Sequence, residues 1–258
     1  MSANVHSEFF IEVSGLQKRF GEQQVLRGVD LKIRRGETMV ILGQSGEGKS
    51  VILKHLIGLM TPDSGSILVD GVETVGLSER QLRPIRKKVG ILFQDGALFD
   101  SMTVAENVAF PLMEEGIRDL KVLLERVREV LSVVGLEEHM AKMPINISGG
   151  MRKRVALARA VVSHPQCILY DEPTAGLDPI VADSIDHLIN RLEEQFQITS
   201  IVVTHDMKSM NTIADRVAIL RDGKIYFLGT PDELNALEDE SIQNFIHGRS
   251  HESLKANV

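Results

Sequence analysis

The sequence predicts an α/β fold, a mainly parallel sheet covered by helices on both faces, and three observations carry that expectation. Short apolar runs alternate with helical patterns through the C-terminal half. A glycine-rich turn joins the apolar run at 37–42 to a helical pattern. Residues from about 103 to 163 keep helical spacing without an intervening strand. Strands alternating with helices of this length imply parallel pairing, because each helical crossover returns the chain to the same sheet edge.

Taken in order, residues 9–13 and 25–33 are β-rich, and 37–42 forms a short apolar strand ending at Gly43. A helix is expected from about 49 to 59, closed by the turn Thr61-Pro62-Asp63-Ser64-Gly65. Strands at 67–70 and 89–93 flank a short helix near 78–86, where Ser78 and Gln81 have capping-box spacing. Thr103-Val104-Ala105-Glu106 is a second capping box. It opens the helical insert, in which Leu120, Leu123, Leu124, Val127, Val130, Leu131 and Val134 recur at helical spacing. After a helix at 152–162 come strand 167–170, helix 180–196, strand 200–203, helix 207–214, and strands 216–220 and 224–228. Residues 250–258 are polar and aperiodic, which predicts a mobile tail.

Composition narrows the function classes. The chain has 258 residues, with 29 Lys+Arg against 36 Asp+Glu, a net charge of −7. It has no Trp and only 4% aromatics, which argues against a stacking platform for single-stranded nucleic acid, and the acidic balance argues against a general polyanion binder. One cysteine, Cys167, excludes an internal disulfide framework and a multi-cysteine metal site, and its expected state is a reduced thiol. No cationic stretch leading into an apolar core marks a signal peptide, and no apolar run reaches the ~18 residues of a membrane span. Residues 51–60 come nearest but are interrupted by Lys54 and His55. The chain is expected to be soluble, reaching a membrane only through a partner.

Gly43-Gln44-Ser45-Gly46-Glu47-Gly48-Lys49-Ser50 fits G-x4-G-K-[ST] and lies between a buried strand and a helix start. The glycines let the backbone wrap closely around phosphate oxygens, with N–H groups of the turn and helix start aimed at the anion. Lys49 would give positive charge to the β/γ-phosphates of ATP, and the Ser50 hydroxyl would ligate Mg²⁺. A merely structural glycine-rich turn is the alternative. Cys167-Ile168-Leu169-Tyr170-Asp171-Glu172 is an apolar strand ending in two acids at the edge that faces a ligand crevice. There Asp171 can hold Mg²⁺ through its water and Glu172 can polarise attacking water, although an acidic helix cap has the same pattern. Ser148 can cap the helix after Gly149-Gly150-Met151. The cations Arg152, Lys153 and Arg154 then oppose the helix dipole, at about 0.3–1 kcal/mol each, unless an anion meets that helix start.

The ordered set of the glycine-rich loop, Ser148-Gly149-Gly150, Asp171-Glu172, Ala175-Gly176-Leu177-Asp178 and Thr204-His205-Asp206 resembles the ATP-binding-cassette ATPase of ABC transporters, over about residues 8 to 230. The resemblance implies a P-loop NTPase fold with a RecA-like parallel core, an N-terminal antiparallel β subdomain and an inserted α-helical subdomain at about 103–163. The ATP-binding domain would span 8–247, and 248–258 would form the polar tail. Phe20 matches the aromatic that stacks on adenine, although alone it reads as a strand-end core residue. Gln94 matches the glutamine that reaches Mg²⁺ and the attacking water and links the site to the membrane subunits. His205 matches the histidine that contacts the γ-phosphate, whereas a lone strand-end His is usually structural. Asp178 matches the acid that communicates across the dimer interface. Ser148, Gly149 and Gly150 would bind the γ-phosphate of ATP held by a second copy, so a head-to-tail homodimer is implied. Met151 replaces the usual Gln of this signature, and Val51 replaces a frequent hydroxyl residue while keeping its N–H for the α-phosphate.

Leu92-Phe93-Gln94-Asp95-Gly96-Ala97-Leu98-Phe99-Asp100-Ser101-Met102-Thr103-Val104 and Ser148-Gly149-Gly150-Met151-Arg152-Lys153-Arg154-Val155 further resemble the ATPases of Mla/Mce-type phospholipid transporters of Gram-negative bacteria. That likeness implies a permease dimer, an MCE-domain lipid-binding protein, a STAS-domain partner and a place at the cytoplasmic face of the inner membrane. The alternatives are the ATPase of an amino-acid or other small-solute importer and a cassette scaffold for iron–sulfur assembly. Nucleic acid is not an expected partner. The 97 residues between Ser50 and Ser148 hold no extended heptads, unlike DNA-repair cassettes, and two-cassette translation factors need a longer chain.

Overall fold

The computed structural model describes residues 7–239 and 242–243. β1 (Phe9–Phe20), β2 (Gln23–Arg34) and β3 (Thr38–Leu42) lead into α1 (Lys49–Leu56), followed by β4 (Ser64–Val69), β5 (Val72–Glu73), α2 (Glu79–Arg86) and β6 (Val89–Leu92). The insert comprises α3 (Val104–Glu114), α4 (Leu120–Val133) and α5 (Gly149–Val161), with 3-10 turns at Glu137–His139 and Pro144–Asn146. β7 (Cys167–Asp171), α6 (Pro179–Phe196), β8 (Thr199–Thr204), α7 (Met207–Ile213), β9 (Arg216–Arg221), β10 (Lys224–Gly229) and α8 (Pro231–Asn235) complete it.

Two sheets result. The first is antiparallel in the order β2-β1-β4-β5, and the second runs β10-β9-β3-β8-β7-β6, parallel throughout except for the antiparallel edge strand β10. The period of two along each parallel strand divides the core. Met39, Ile41, Leu169, Ile201 and Val203 pack toward the antiparallel sheet and α1, whereas Val40, Leu42, Tyr170 and Val202 pack toward the helical insert and α6. Each fully buried Ile or Leu contributes about 1.5–3 kcal/mol, and burial on both faces explains why these strands read as unbroken apolar runs.

Several boundaries differ from the sequence expectation, each for a local reason. β1 does not stop at Val13. Gly15, at φ +58°, absorbs an irregularity in register and the strand resumes to Phe20. α1 ends at Leu56 because Gly58 adopts φ +65°, letting Leu59 N–H donate to Lys54 O at 2.9 Å in a Schellman-type closure. The capping boxes at Ser78 and Thr103 form, and a third at Thr230 with Glu233 opens α8, which the sequence reading passed over. α4 is capped by Asp119 and buries Leu123, Val127, Val130 and Leu131, but Leu120 and Leu124 lie exposed, one turn apart on the outer edge of the stripe. Its apolar face is therefore narrower than the spacing suggested. The predicted tail, 248–258, lies outside the described residues, and no helix among the described residues is long and apolar enough to cross a membrane. The parallel topology sets the ends of β3, β6, β7 and β8 along one edge, so Gly43, Gln94, Glu172 and His205 emerge together.

Candidate active site

The loop between β3 and α1 is shaped by contacts that only glycine permits. A Cβ on Gly43 would come within 2.8 Å of Leu220 O, and one on Gly48, at φ +102°, within 2.8 Å of Val25 Cγ1. Gly48 stands at the N-cap of α1, where no side chain caps the helix and no acid occupies the first turn. The helix start therefore presents uncapped N–H groups, the arrangement suited to phosphate. Lys49 is 6% exposed. Its Nζ donates to Gly43 O at 2.7 Å and Gln44 O at 3.1 Å, and lies 3.4 Å from Glu172 Oε1. Glu47 turns outward, its Oε2 accepting from Asp222 N at 2.8 Å, so its side chain ties the loop to the β9–β10 turn.

The two acids have different partners. Asp171, the last residue of β7, accepts from Ser50 Oγ at 2.8 Å. Glu172 has φ +47°, a left-handed backbone that costs a non-glycine residue of order 1–3 kcal/mol and is held by its N–H donating to Val203 O at 2.9 Å. Its Oε2 accepts from His205 Nδ1 at 2.9 Å and from Thr204 Oγ1 at 3.3 Å. The Glu172 side chain is mostly buried while that of His205 is 65% exposed, so the imidazole stands at the mouth of the site. Ser50, Asp171 and the exposed Gln94 offer hydroxyl, carboxylate and amide oxygens, a hard donor set that fits Mg²⁺ shared with phosphate.

Lys153 was missed as a site residue. It is 7% exposed, its Nζ donates to Gln94 O, and it lies 3.5 Å from Glu172 O. Burial lowers its pKa, against Asp95, Asp171 and Glu172, which raise it. The three cations of the first turns of α5 also bond within their own chain. Arg152 donates to Ile147 O at 3.1 Å and Arg154 to Ser184 Oγ at 2.8 Å, so each cation finds an acceptor in its own chain. Helical geometry held part of the signal, since three successive side chains spread over about 200° and cannot share one face.

Ser148 caps α5, accepting from Met151 N at 3.3 Å, and Asp178 caps α6, accepting from Ile180 N and Val181 N at 3.1 Å each. These two helix starts touch, since a Cβ on Gly150 would meet Val181 Cγ1 at 2.7 Å. Among the described residues, no hydrogen bond or ion pair joins Ser148, Gly149, Gly150 or Asp178 to residues 43–50, so they form a second surface apart from the phosphate loop. Phe20 is 43% exposed at the end of β1 and is no core residue, with Lys18 Nζ 5.7 Å from its ring centroid. Val51 is half-buried, and its carbonyl accepts from His55 Nδ1 at 2.7 Å.

Comparison with known proteins agrees with this geometry. The ABC transporter family profile matches residues 26–175. The intermembrane phospholipid transport system ATP-binding protein of Haemophilus influenzae is 40% identical over 240 residues, covering 93% of this chain and 91% of that protein. A protein of Mycobacterium leprae called a "probable ribonucleotide transport ATP-binding protein" is 43% identical over 239 residues, covering 93% of this chain and 69% of that one. Among solved structures, a dimeric post-hydrolysis ATP-binding cassette bound to ADP and phosphate superposes with TM-score 0.78 at 33% identity, covering 86% of this chain and 98% of that one.

Proposed function

The chain belongs to the ABC transporter family, and from that premise we propose that it is the motor subunit of a system moving phospholipid between the inner and outer membranes. It is an ATP-hydrolysing cassette with the ABC ATPase fold, using ATP with Mg²⁺ and working as a homodimer beside a membrane permease. The observation that carries the lipid reading is the near full-length likeness to the Haemophilus phospholipid-transport protein. A small-solute cargo is the second reading, favoured by the 43% identity to the mycobacterial protein.

In the proposed mechanism, Lys49 offers its ammonium to the β/γ-phosphates, and the N–H groups from Gly43 to Val51 cradle the chain of phosphates. Ser50, Asp171 and Gln94 hold Mg²⁺, which when bound neutralises phosphate charge and polarises the γ-phosphoryl group. Glu172 takes the proton of the attacking water as its oxygen bonds to the γ-phosphorus and the bond to ADP breaks. Thr204, Lys49 and His205 fix the carboxylate for that step, and the exposed edge of the His205 ring faces the phosphate. Phe20 stacks on adenine. Ser148, Gly149, Gly150 and Asp178 close over the nucleotide of the second copy, which accounts for their separation from the phosphate loop within one chain.

The permease has a seat in this arrangement. A cleft of about 490 Å³, lined by Phe93, Ala97, Phe99, Phe110, Pro111 and Arg159, opens where the Gln94 loop meets the helical insert. An apolar permease helix filling it presses on the Gln94 loop, whose carbonyl is tied by Lys153 to α5, and so connects docking to Glu172. Association with the cytoplasmic face of the inner membrane, with an MCE-domain lipid-binding protein and a STAS-domain protein completing the assembly, follows from the lipid reading. Purification from native membranes, with mass spectrometry of co-purifying proteins and lipids, tests it. A permease with an MCE-domain protein and bound phospholipid is the expected outcome, and a solute permease would replace lipid with small-solute cargo.

A further inference from the structure

Helix α6 carries a buried polar stripe that the nucleotide site does not account for. Asp186, Asn190 and Glu193 recur at i, i+4 and i+7, the spacing of one helix face, and turn into the protein. Asn190 Nδ2 donates to Thr212 O at 3.0 Å, and Glu193 Oε2 accepts from Thr38 Oγ1 at 2.7 Å. Asp186 is only 1% exposed, and its Oδ1 has no hydrogen-bond partner among the described residues. Its Oδ2 accepts from Ser209 Oγ at 2.8 Å. Burial, with Asp206 and Asp183 nearby, pushes this carboxyl up to about 6, against the Ser209 hydrogen bond that lowers it. A buried acid without a cation works against stability, so its place here calls for a role other than holding the fold together.

The bonds beyond Ser209 supply one. Ser209 Oγ lies 3.3 Å from Thr174 Oγ1 and 3.2 Å from Asp206 Oδ2. Asp206 caps α7 and donates its N–H to Thr204 Oγ1 at 3.0 Å, and that hydroxyl in turn donates to Glu172 Oε2 at 3.3 Å. His205 therefore sits on a three-residue segment bonded at one end to Glu172 and resting at the other, through Asp206, against the Ser209 hydroxyl, which donates to Asp186 of α6. Through Thr174 the same hydroxyl reaches the loop that follows Glu172.

We propose that Asp186 and Ser209 are positioning residues for ATP hydrolysis, fixing α7 against α6 so that His205 meets Glu172. The inference rests on the role given to His205 above and adds what holds that residue in place. Asp186 lies one hydroxyl away from the segment that carries His205. It sets the register of α7, whose N-cap, Asp206, directly follows the histidine.

The test combines turnover with a direct view of the histidine. In the full chain, Asp186→Ala and Ser209→Ala should each lower kcat by about tenfold while the KM for ATP stays within about twofold, and the double variant should lose no more than either alone. Asp186→Asn keeps an acceptor for Ser209 and should restore turnover to within about twofold. In ¹⁵N-histidine-labelled protein, the His205 imidazole resonance, assigned with His205→Ala, should move in both alanine variants and stay in place in Asp186→Asn. Because Asp186→Asn removes the buried charge without a void, it remains folded and measurable even if an alanine variant does not. An unmoved His205 resonance with unchanged kcat in the Ser209→Ala variant overturns the inference alone. Full turnover in His205→Ala removes the role of His205 itself, and this inference with it.

Discussion

At the carboxyl end of the parallel sheet, Glu172 has a lysine ammonium 3.4 Å from one oxygen and the His205 and Thr204 donors on the other. At the amino end of the same sheet, Glu193 borders a cavity of about 370 Å³ with Gly36, Thr38, Asn190 and Asp215. Burial pushes Glu193 up to about 7, against the Thr38 hydrogen bond, while Asp215 and Glu194 add repulsion. Glu172 follows β7 and Glu193 comes from α6, and among the described residues only Glu172 is met by a cation. The fold places compensating charge at the proposed hydrolysis site and leaves it out at the opposite end, where the Thr38 hydroxyl answers the acid.

The largest effect should come from removing the acid at the catalytic end. Glu172→Gln keeps the shape and the Lys49 contact but cannot take a proton, so phosphate release should fall by about 10²–10⁴-fold while ATP binding persists. Lys49→Ala should come next, weakening nucleotide binding and turnover together, since it also leaves Gly43 O and Gln44 O without their donor. Equilibrium binding of a labelled ATP analogue separates the two, and unchanged affinity would remove Lys49 from the phosphate site. Lys153→Met fills the same volume but strips the donor from Gln94 O. With that hydrogen bond lost, kcat should fall by about tenfold, with a smaller change in KM.

The smallest effect belongs to the opposite edge and sharpens the contrast. Because Glu193 holds its proton in the folded chain up to about 7, while the unfolded chain releases it near 4.5, its contribution to stability falls as pH rises through that window. Glu193→Gln should therefore melt above wild type at pH 8, with the gap closing toward pH 5, and turn over ATP at the wild-type rate. A pH-independent gap would mean that Glu193 is not the titrating group.

The catalytic end was largely legible in the sequence, and the opposite end was not. Gly43, Lys49 and Ser50 lie on one turn, and Asp171-Glu172 and Thr204-His205 each close an apolar strand, so residue type and local position suffice to mark them. Parallel topology then gathers those strand ends without long-range knowledge. Lys153, Asp186 and Glu193 are different, because their meaning depends on which element faces them. Lys153 reads as one of three surface cations until β6 and β7 are seen beneath α5, and Asp186 sits between Asp183 and His187 like an ordinary solvated residue. The stripe 186, 190, 193 was nonetheless readable as a polar face on a helix whose other buried positions are Ile185, Leu188, Ile189 and Leu192. Ser148 and Asp178 showed a third kind of limit. Their caps were predictable, but one chain alone leaves their surface apart from the phosphate loop.

That separation leads to the most direct test of the account, which treats two half-sites as one enzyme. Light scattering of the Glu172→Gln chain, without and with saturating MgATP, measures whether the halves meet. The account predicts a 28.6 kDa monomer that doubles in mass only when MgATP is bound. A mass that stays at the monomer value, with ATP binding verified on the same sample, would contradict the composite site.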